Sequence, residues 1–385
     1  MRARAALCFV TTSLVGCSSC SSGTSPGGTT PSAEPAEHIA APADYEVHEW
    51  GLLRGQRDGS ADVLRVGAVA PARRVDVMAV DKPVLYFHSA DPRTLAEVAV
   101  HVEGGTILET WPFVPGSTDV AWRDVALGSQ AGCTPSPLPN ATTPPCSALG
   151  PGAFCESTGL AVVRTADASC VTTGGSTDRF LFYRAQSHTF EPPLRFARTQ
   201  IFEDVSVTND GDAPIPGVLV RIWSDGVRTR TLVADPPAPH ASIVIGHDFP
   251  TDASADEDMP ADAPYDRRGA TDESLPEPTV TGPGRQGLSR TMREIGLTSE
   301  EVDAFLRAWE PTFFGGDAAH AGATDQPPLD SLTADGDPAP RDSVVYFLPA
   351  PATERVARLS FDPPPRAVHR ALAIWTAIRA SGEGR

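Results

Sequence analysis

From Tyr45 onward, the chain consists of short β-branched and aromatic runs that are separated by glycine, proline, aspartate and asparagine. Each run is long enough for one strand, and the residues between the runs favour turns, so the pattern is typical of an antiparallel sheet protein. In the segment Glu97–Glu103, three valines occupy alternate positions, which predicts a strand with one buried side. The sequence therefore predicts a mainly β fold with an antiparallel β-sandwich-rich body.

The strands predicted for this body are all short and are bounded by turn residues. They are Tyr45–Leu53, Val63–Val69, Pro83–His88, Glu97–Glu103, Phe180–Arg184, Ile201–Thr208, Val218–Trp223 and Ser242–Gly246. The chain has 38 prolines and 33 glycines, so turns should be abundant and helices few.

The C-terminal hundred residues have a different pattern, which predicts C-terminal α+β elements. Thr298 followed three residues later by Glu301 forms a capping-box sequence, and the apolar stripe behind it predicts a helix that Pro311 ends. Ser343–Leu348 and Val356–Phe361 are predicted strands. A last apolar stripe at helical spacing predicts a terminal helix; its residues are Val368, Leu372, Trp375 and Ile378.

The N-terminus has the layout of a secretory signal, with two arginines, an apolar run from Ala5 to Val15, and then Gly16 and Cys17. Leu14–Cys17 resembles the bacterial lipobox, in which the cysteine is acylated and becomes the mature N-terminus. The alternative is an ordinary signal peptide with an incidental cysteine. The lipobox interpretation predicts a membrane partner through the lipid and a cell-envelope location. The outer membrane is favoured because Ser18 is not an acidic retention signal.

The expected organisation has five segments, which differ in composition. They are a signal peptide at 1–16, a flexible lipid-anchored tether rich in Ser, Gly, Thr and Pro at 17–43, a β-rich body at 44–250 with a disulfide-bearing insertion at 128–177, an acidic proline-rich linker or loop at 251–287, and α+β elements packed on the body at 288–385. A calcium-binding loop is the alternative for the acidic segment, although the alternating acidic pattern and central glycine of an EF-hand are missing.

Four cysteines lie within the insertion: Cys133, Cys146, Cys155 and Cys170. In an oxidising compartment they are expected to form two disulfides, and three pairings are possible. Pairing Cys133 with Cys146 and Cys155 with Cys170 is favoured, because a short apolar run between the last two could form half of a hairpin. A zinc site is the alternative, but the CxxC spacing typical of such sites is absent from the sequence.

Several phrases of the chain resemble an uncharacterised family of exported bacterial proteins that carry "HEWG", "KPVxYFY" and "FLxYRG" at similar places. The phrases are Tyr45–Gly51, Lys82–Phe87, Asp178–Arg184 and Val344–Pro349. The chain departs from that pattern at His88, at Ala185 and in the cysteine-rich insertion. The resemblance covers about residues 45 to 365 and implies export and one continuous architecture, but no activity.

Candidate catalytic residues are His48, Glu49 and Asp178, and candidate metal ligands are His48, His88 and His188. Strand alternation points His48 and Glu49 to opposite faces, which disfavours one metal bound by both. The alternatives are structural histidines bonded to the backbone and an internal salt bridge from Asp178 to Arg179 or Arg184.

The sequence excludes some function classes and leaves two open. A net charge of −18 disfavours nucleic-acid binding, and no phosphate-binding glycine motif or Gly-x-Ser-x-Gly elbow is present in the sequence, so no cofactor is indicated. The favoured function is a lipid-anchored envelope protein with a binding or structural role and a polysaccharide or envelope-protein partner. The alternative is a secreted hydrolase, metal-dependent or not, that acts on envelope or environmental polymers.

Overall fold

The computed structural model describes residues 43–56, 77–138, 160–165, 167–198, 204–224, 228–247, 279–314 and 341–378, all of which belong to one unit, Pro42–Arg385. The fold is mainly β, as predicted. Its strands are β1 (Ala43–Gln56), β2 (Val77–Ser89), β3 (Arg93–His101), β4 (Gly105–Trp111), β5 (Asp119–Gly128), β6 (Cys170–Thr173), β7 (Ser176–Asp178), β8 (Leu181–Ser187), β9 (Leu194–Arg198), β10 (Val205–Asn209), β11 (Leu219–Ser224), β12 (Arg228–Ala234), β13 (Ser242–Ile245), β14 (Thr279–Thr281), β15 (Arg341–Phe347), β16 (Arg358–Asp362) and β17 (Pro365–Ala377). Its helices are α1 (Gly284–Ile295), α2 (Ser299–Phe314) and α3 (Ala350–Val356).

A nine-stranded sheet forms the middle layer, in the order β14-β12-β11-β15-β17-β1-β2-β8-β4. Its central strand β1 pairs with β2 in antiparallel register and with β17 in parallel register. The parallel pairing places His48 directly opposite His369. The first and the last described strands are therefore neighbours inside the sheet.

Two antiparallel sheets cover one face of this layer. One has the order β16-β3-β5-β6-β7 and the other the order β13-β10-β9. Side chains such as Tyr183 and Leu372 of the large sheet share a buried core with Trp122 and Val207 of the smaller sheets. This sheet-on-sheet packing confirms the predicted sandwich-like body.

Helices α1 and α2 cover the opposite face of the nine-stranded sheet. Leu288 and Met292 of α1 and Phe305 of α2 share a second core with Trp50 and Phe347. The Phe305 ring meets the Trp50 ring edge-on, at 5.5 Å between centroids. None of the helices among the described residues has the length and apolar composition needed to span a membrane.

The predicted terminal helix is wrong, because Pro365–Ala377 forms strand β17. Four consecutive residues of this strand, Ala371–Ile374, are buried. Leu372 and Ile374 belong to the core between the sheets, and Ala371 and Ala373 belong to the core on the opposite face. A strand buried on both faces gives a continuous apolar run, which short-range periodicity does not separate from a helix. Strands β15 and β17 of the C-terminal segment therefore belong to the large sheet, since they pair with each other and β17 pairs with β1.

Helix α2 confirms the capping-box prediction. The Glu301 amide donates to Thr298 Oγ1 at 3.2 Å, and the Thr298 amide donates to Glu301 Oε2 at 2.8 Å. The helix continues through Pro311 to Phe314, so the predicted end is wrong. The strand predicted at Val356–Phe361 begins later, because Val356 ends helix α3.

Most of the other predicted strands are confirmed with shifted ends, while β4, β5, β6, β7, β9, β12 and β14 have no counterpart among the predicted strands. Val63–Val69 lies outside the described residues, as do residues 1–42, which hold the predicted signal peptide, Cys17 and most of the predicted tether. Of the acidic segment, residues 251–278 also lie outside them. Helix α1 begins at Gly284, within the segment that was predicted to be a linker or loop.

The structure pairs Cys133 with Cys170, across a sequence separation of 37. The favoured pairing of Cys133 with Cys146 is therefore wrong, and so is that of Cys155 with Cys170. Cys146 and Cys155 lie outside the described residues. Cys170 opens strand β6, which pairs with the end of β5, so the bond fastens the start of the insertion to the five-stranded sheet.

Candidate functional site

A cluster of histidines and glutamates lies on the helix-facing side of the nine-stranded sheet. Glu46 and His48 alternate along β1, so both project from the same face. His88 of β2 is the partner of Glu46 across the antiparallel pair, and His369 of β17 is the partner of His48 across the parallel pair. The strand registers bring the four side chains together.

Glu301, from the first turn of α2, closes the cluster from above the sheet. Its carboxylate accepts a hydrogen bond from His48 Nδ1 at 2.8 Å and another from His88 Nε2 at 2.8 Å. The capping box with Thr298 fixes the direction of the same side chain. Glu301 is fully buried, so its negative charge is stabilised by the two imidazole donors and the Thr298 amide rather than by water.

The hydrogen bonds control the protonation of the cluster. Burial raises the pKa of Glu301, but the hydrogen bonds and charges of His48 and His88 outweigh burial and lower that pKa to about 2. Burial lowers the pKa of His88, but the bond to Glu301 and its charge raise that pKa above its usual value. Glu301 is therefore an ionised acceptor at neutral pH.

His48 has one nitrogen that meets no hydrogen-bond partner. Its Nδ1 is bonded to Glu301, whereas the buried Nε2 has no partner within hydrogen-bond distance. The closest charged atom recorded for Nε2 is Glu46 Oε2, at 3.9 Å. The His369 ring meets the His48 ring edge-on at 5.1 Å between centroids, and His369 Nδ1 donates to the Ile295 carbonyl at 2.8 Å.

No family model, curated protein or solved structure matches this chain. The chemistry of the cluster is therefore inferred from its own residues. In the part of the chain that the structure describes, two groups of side chains could hold a metal ion: Glu46 with His48 and His369, and His48 with His88 and Glu301. Imidazole nitrogens together with a carboxylate are the ligands that zinc and related divalent ions prefer.

Glu49 lies on the opposite face of β1 from His48, as strand alternation predicted. It is fully buried, accepts a hydrogen bond from Tyr183 Oη at 2.8 Å, and is paired with Arg370. Arg370 in turn donates to Glu354 at 2.7 Å. Burial raises the pKa of Tyr183 well above its usual value, so the phenol remains the donor. Glu49 is thus the centre of a separate buried ion-pair network.

Asp178 is also separate from the histidine cluster. Its carboxylate accepts hydrogen bonds from Arg164 at 2.8 and 3.0 Å, from the Trp111 indole at 3.0 Å and from the Arg179 backbone amide at 2.8 Å. The expected internal salt bridge is present, but its partner is Arg164, while Arg184 pairs with Glu109. The structure therefore does not bring His48, Glu49 and Asp178 into one catalytic group.

Of the three candidate metal ligands, His48 and His88 come together and His188 belongs to neither group. His188 is exposed just after β8, where its amide donates to the Gly104 carbonyl at 3.1 Å. The cluster members that were not predicted as site residues are Glu46, Glu301 and His369. Glu46 could have been found from the sequence, because it lies two positions before His48 on the predicted strand and so shares its face. His369 could not, because it reaches the cluster only if residues 365–377 form a strand beside β1.

Proposed function

We propose that this chain is a lipid-anchored protein of the bacterial cell envelope with a binding or structural role. The order of basic residues, apolar run, Gly16 and Cys17 supports acylation of Cys17. The unit that begins at Pro42 would then be joined to the lipid through the Ser- and Gly-rich segment that follows Cys17. Ser18 favours the outer membrane.

The observation that carries a binding role over hydrolysis is the separation of the three candidate catalytic residues. A general acid and base must reach the same reacting atoms. Glu49 and Asp178 are each buried and each held by an arginine, so neither carboxylate is available to a substrate. The hydrolase that would use His48, Glu49 and Asp178 therefore has no support in the geometry.

The partner class follows from charge and location. A net charge of −18 disfavours nucleic acid, because binding to phosphates requires a basic surface. A protein held at the envelope by a lipid meets the polysaccharides and proteins of that envelope, and these are the proposed partners.

Replacing Cys17 with alanine is expected to abolish incorporation of a labelled fatty acid and to release the protein from the membrane fraction. The physical reason is that a thiol is the only group at this position that can carry the acyl chain. Cys20→Ala is the matched control, since Cys20 lies in the same Ser-rich stretch, and it should keep both the label and the membrane location. Labelling of the Cys17→Ala chain would refute the anchor.

A soluble chain that begins at Ser18, without the lipidation cysteine, separates the two function classes. Incubated with purified envelope polysaccharide, it is expected to sediment with the polymer and to release no soluble sugar. Release of soluble sugar that increases with time would instead establish a hydrolase. Absence of the protein from the pellet, together with absence of released sugar, would remove polysaccharide as the partner and leave an envelope protein.

A further inference from the structure

We infer that Glu46, His48 and His369 form a binding site for a divalent transition-metal ion of the zinc class. One ligand atom from each of the three side chains lies within 4.8 Å of the other two. Two strands in direct register supply the histidines, and the glutamate comes from the same face of β1. The site is thus built on the sheet rather than on loops, which favours a fixed geometry.

The hydrogen bonds made by both imidazoles leave Nε2 as the ligand atom. The Ile295 carbonyl can only accept, so His369 Nδ1 carries the proton and Nε2 of the neutral ring has the lone pair. The ionised Glu301 carboxylate likewise accepts from His48 Nδ1. Metal-bound histidines typically donate their other nitrogen to a carboxylate or a backbone carbonyl in this way, which fixes the tautomer and the ring orientation.

The unpartnered Nε2 of His48 is the observation that points to a ligand. The residue is only 4% exposed, so this nitrogen has neither a hydrogen-bond partner nor ready access to water. A buried polar atom without a partner destabilises the folded state, because it has lost its hydrogen bonds to water. Its 3.9 Å separation from Glu46 Oε2 is too long for a hydrogen bond. Two ligands of one tetrahedral zinc ion lie about 3.4 Å apart, so a shift of about 0.5 Å by the partly exposed Glu46 side chain would let one ion satisfy both atoms.

The surroundings of Glu46 keep its carboxylate ionised and leave it accessible. Arg366 donates to Oε1 at 2.7 Å and lowers the pKa of Glu46, while Oε2 is the oxygen closer to His48. The Glu46 side chain is 29% exposed, so the site is open on this side. A zinc site with three protein ligands and one open side typically binds water or another small ligand in its fourth position.

The second group, His48 with His88 and Glu301, is assigned a supporting role. Both histidine nitrogens that face Glu301 already donate to its carboxylate at 2.8 Å. Glu301 is therefore the positioning residue that holds His48, and it places a negative charge beside that imidazole. Two imidazoles and one carboxylate disfavour calcium and magnesium, which prefer oxygen ligands alone.

The site is tested with a soluble chain that begins at Ser18, stripped with a chelator and titrated with Zn²⁺ in a calorimeter. We expect one ion per chain to bind at this site. His369→Gln and Glu46→Gln are expected to weaken binding at least about tenfold, since each removes a ligand atom with little change of volume. His188→Gln is the matched control, because His188 is exposed and lies outside the cluster, and its affinity should equal that of the unchanged chain.

A fourth variant tests position without removing a ligand. Gly296 has φ +114°, and a Cβ there would lie 2.3 Å from His369 Nδ1, so Gly296→Ala must displace the imidazole. It is expected to weaken Zn²⁺ binding even though all three ligands remain. Far-ultraviolet circular dichroism checks that each variant is folded, and Glu46→Gln keeps the test valid if the buried variants fail to fold, since Glu46 is partly exposed.

Co²⁺ substitution identifies the ligand type. Nitrogen and oxygen ligands are expected to give visible bands without thiolate charge-transfer absorption in the near ultraviolet. Strong near-ultraviolet absorption would assign the ion to cysteines and overturn the proposal. Unchanged affinity in both Glu46→Gln and His369→Gln would also overturn it, as would equal loss in His188→Gln or no binding at micromolar Zn²⁺.

Discussion

Asp342→Ala is expected to lower the free energy of unfolding by about 3–5 kcal/mol. Asp342 of β15 lies opposite Trp223 of β11 and is therefore a diagonal neighbour of Arg221; the side chains of Asp342 and Arg221 are both fully buried. Arg221 donates to the carboxylate through Nε at 3.0 Å and through Nη2 at 2.6 Å. Removal of the carboxylate leaves a buried guanidinium without its counter-charge, and that desolvation cost is large.

The same arginine also connects two sheets. Its Nη1 donates to the carbonyls of Ile245 at 3.2 Å and Gly246 at 2.7 Å, at the end of β13. Arg221 thus ties the nine-stranded sheet to the three-stranded one. The double variant Arg221→Met with Asp342→Leu is expected to be less destabilised than Asp342→Ala, because it buries no unpaired charge.

Urea unfolding followed by tryptophan fluorescence measures the effect of Asp342→Ala. Glu310→Ala is the control, since the Glu310 pair with Arg285 is 44% and 47% exposed, and its loss should cost less than about 1 kcal/mol. Equal midpoints for Asp342→Ala and Glu310→Ala would contradict the expectation.

Glu301→Ala is expected to cost about 3–5 kcal/mol as well, for a different reason. The substitution leaves two imidazoles, those of His48 and His88, without their acceptor, and it removes the acceptor of the Thr298 amide at the start of α2. Glu300→Ala is the neighbouring control, because Glu300 is exposed on the same helical turn. Both variants are compared by chemical unfolding in the presence of a chelator. A loss for Glu301→Ala no larger than that for Glu300→Ala would exclude the bridging role.

The contribution of Glu301 should also depend on pH, in a direction set by its lowered pKa. The folded pKa is about 2 and the ordinary value is 4.5, so the stabilisation is complete above 4.5 and is lost as the pH falls toward 2. His88 has a raised pKa, so its contribution is complete below 6.5 and is lost as the pH rises through the folded value. Both contributions are present in full between about pH 4.5 and 6.5, and the difference between wild type and Glu301→Ala should be largest there.

Local patterns of the sequence are sufficient to predict the fold class, the orientation of His48 on its strand and the start of the helix that carries Glu301. Period-two alternation predicted the opposite faces of His48 and Glu49, and the spacing of Thr298 and Glu301 predicted the start of α2. These features depend on neighbouring residues only, so a local pattern encodes them.

The assembly of the site depends on contacts that no local pattern encodes. His48 and Glu301 are bonded across a sequence separation of 253 residues. His369 joins them only because β17 is a strand in parallel register with β1. Since β17 is buried on both faces, its apolar run fits the spacing of a helix as well as that of a strand. The pairing of Cys133 with Cys170 is of the same kind, because spacing alone does not choose among three connectivities.

The position of β17 sets the order in which this protein can fold. The strand lies between β15 and β1, so it joins the group β14-β12-β11-β15 to the group β1-β2-β8-β4. Tyr45 near the start of β1 bonds to the Pro363 carbonyl across a sequence separation of 318 residues. Because the chain is synthesised from its N-terminus, the two half-sheets can be joined only after nearly all of it has emerged. Pairing of β17 with β1 and β15 is therefore expected to be a late and slow step of folding. A chain that ends before residue 365 would lack the strand that joins the two groups of strands into one sheet.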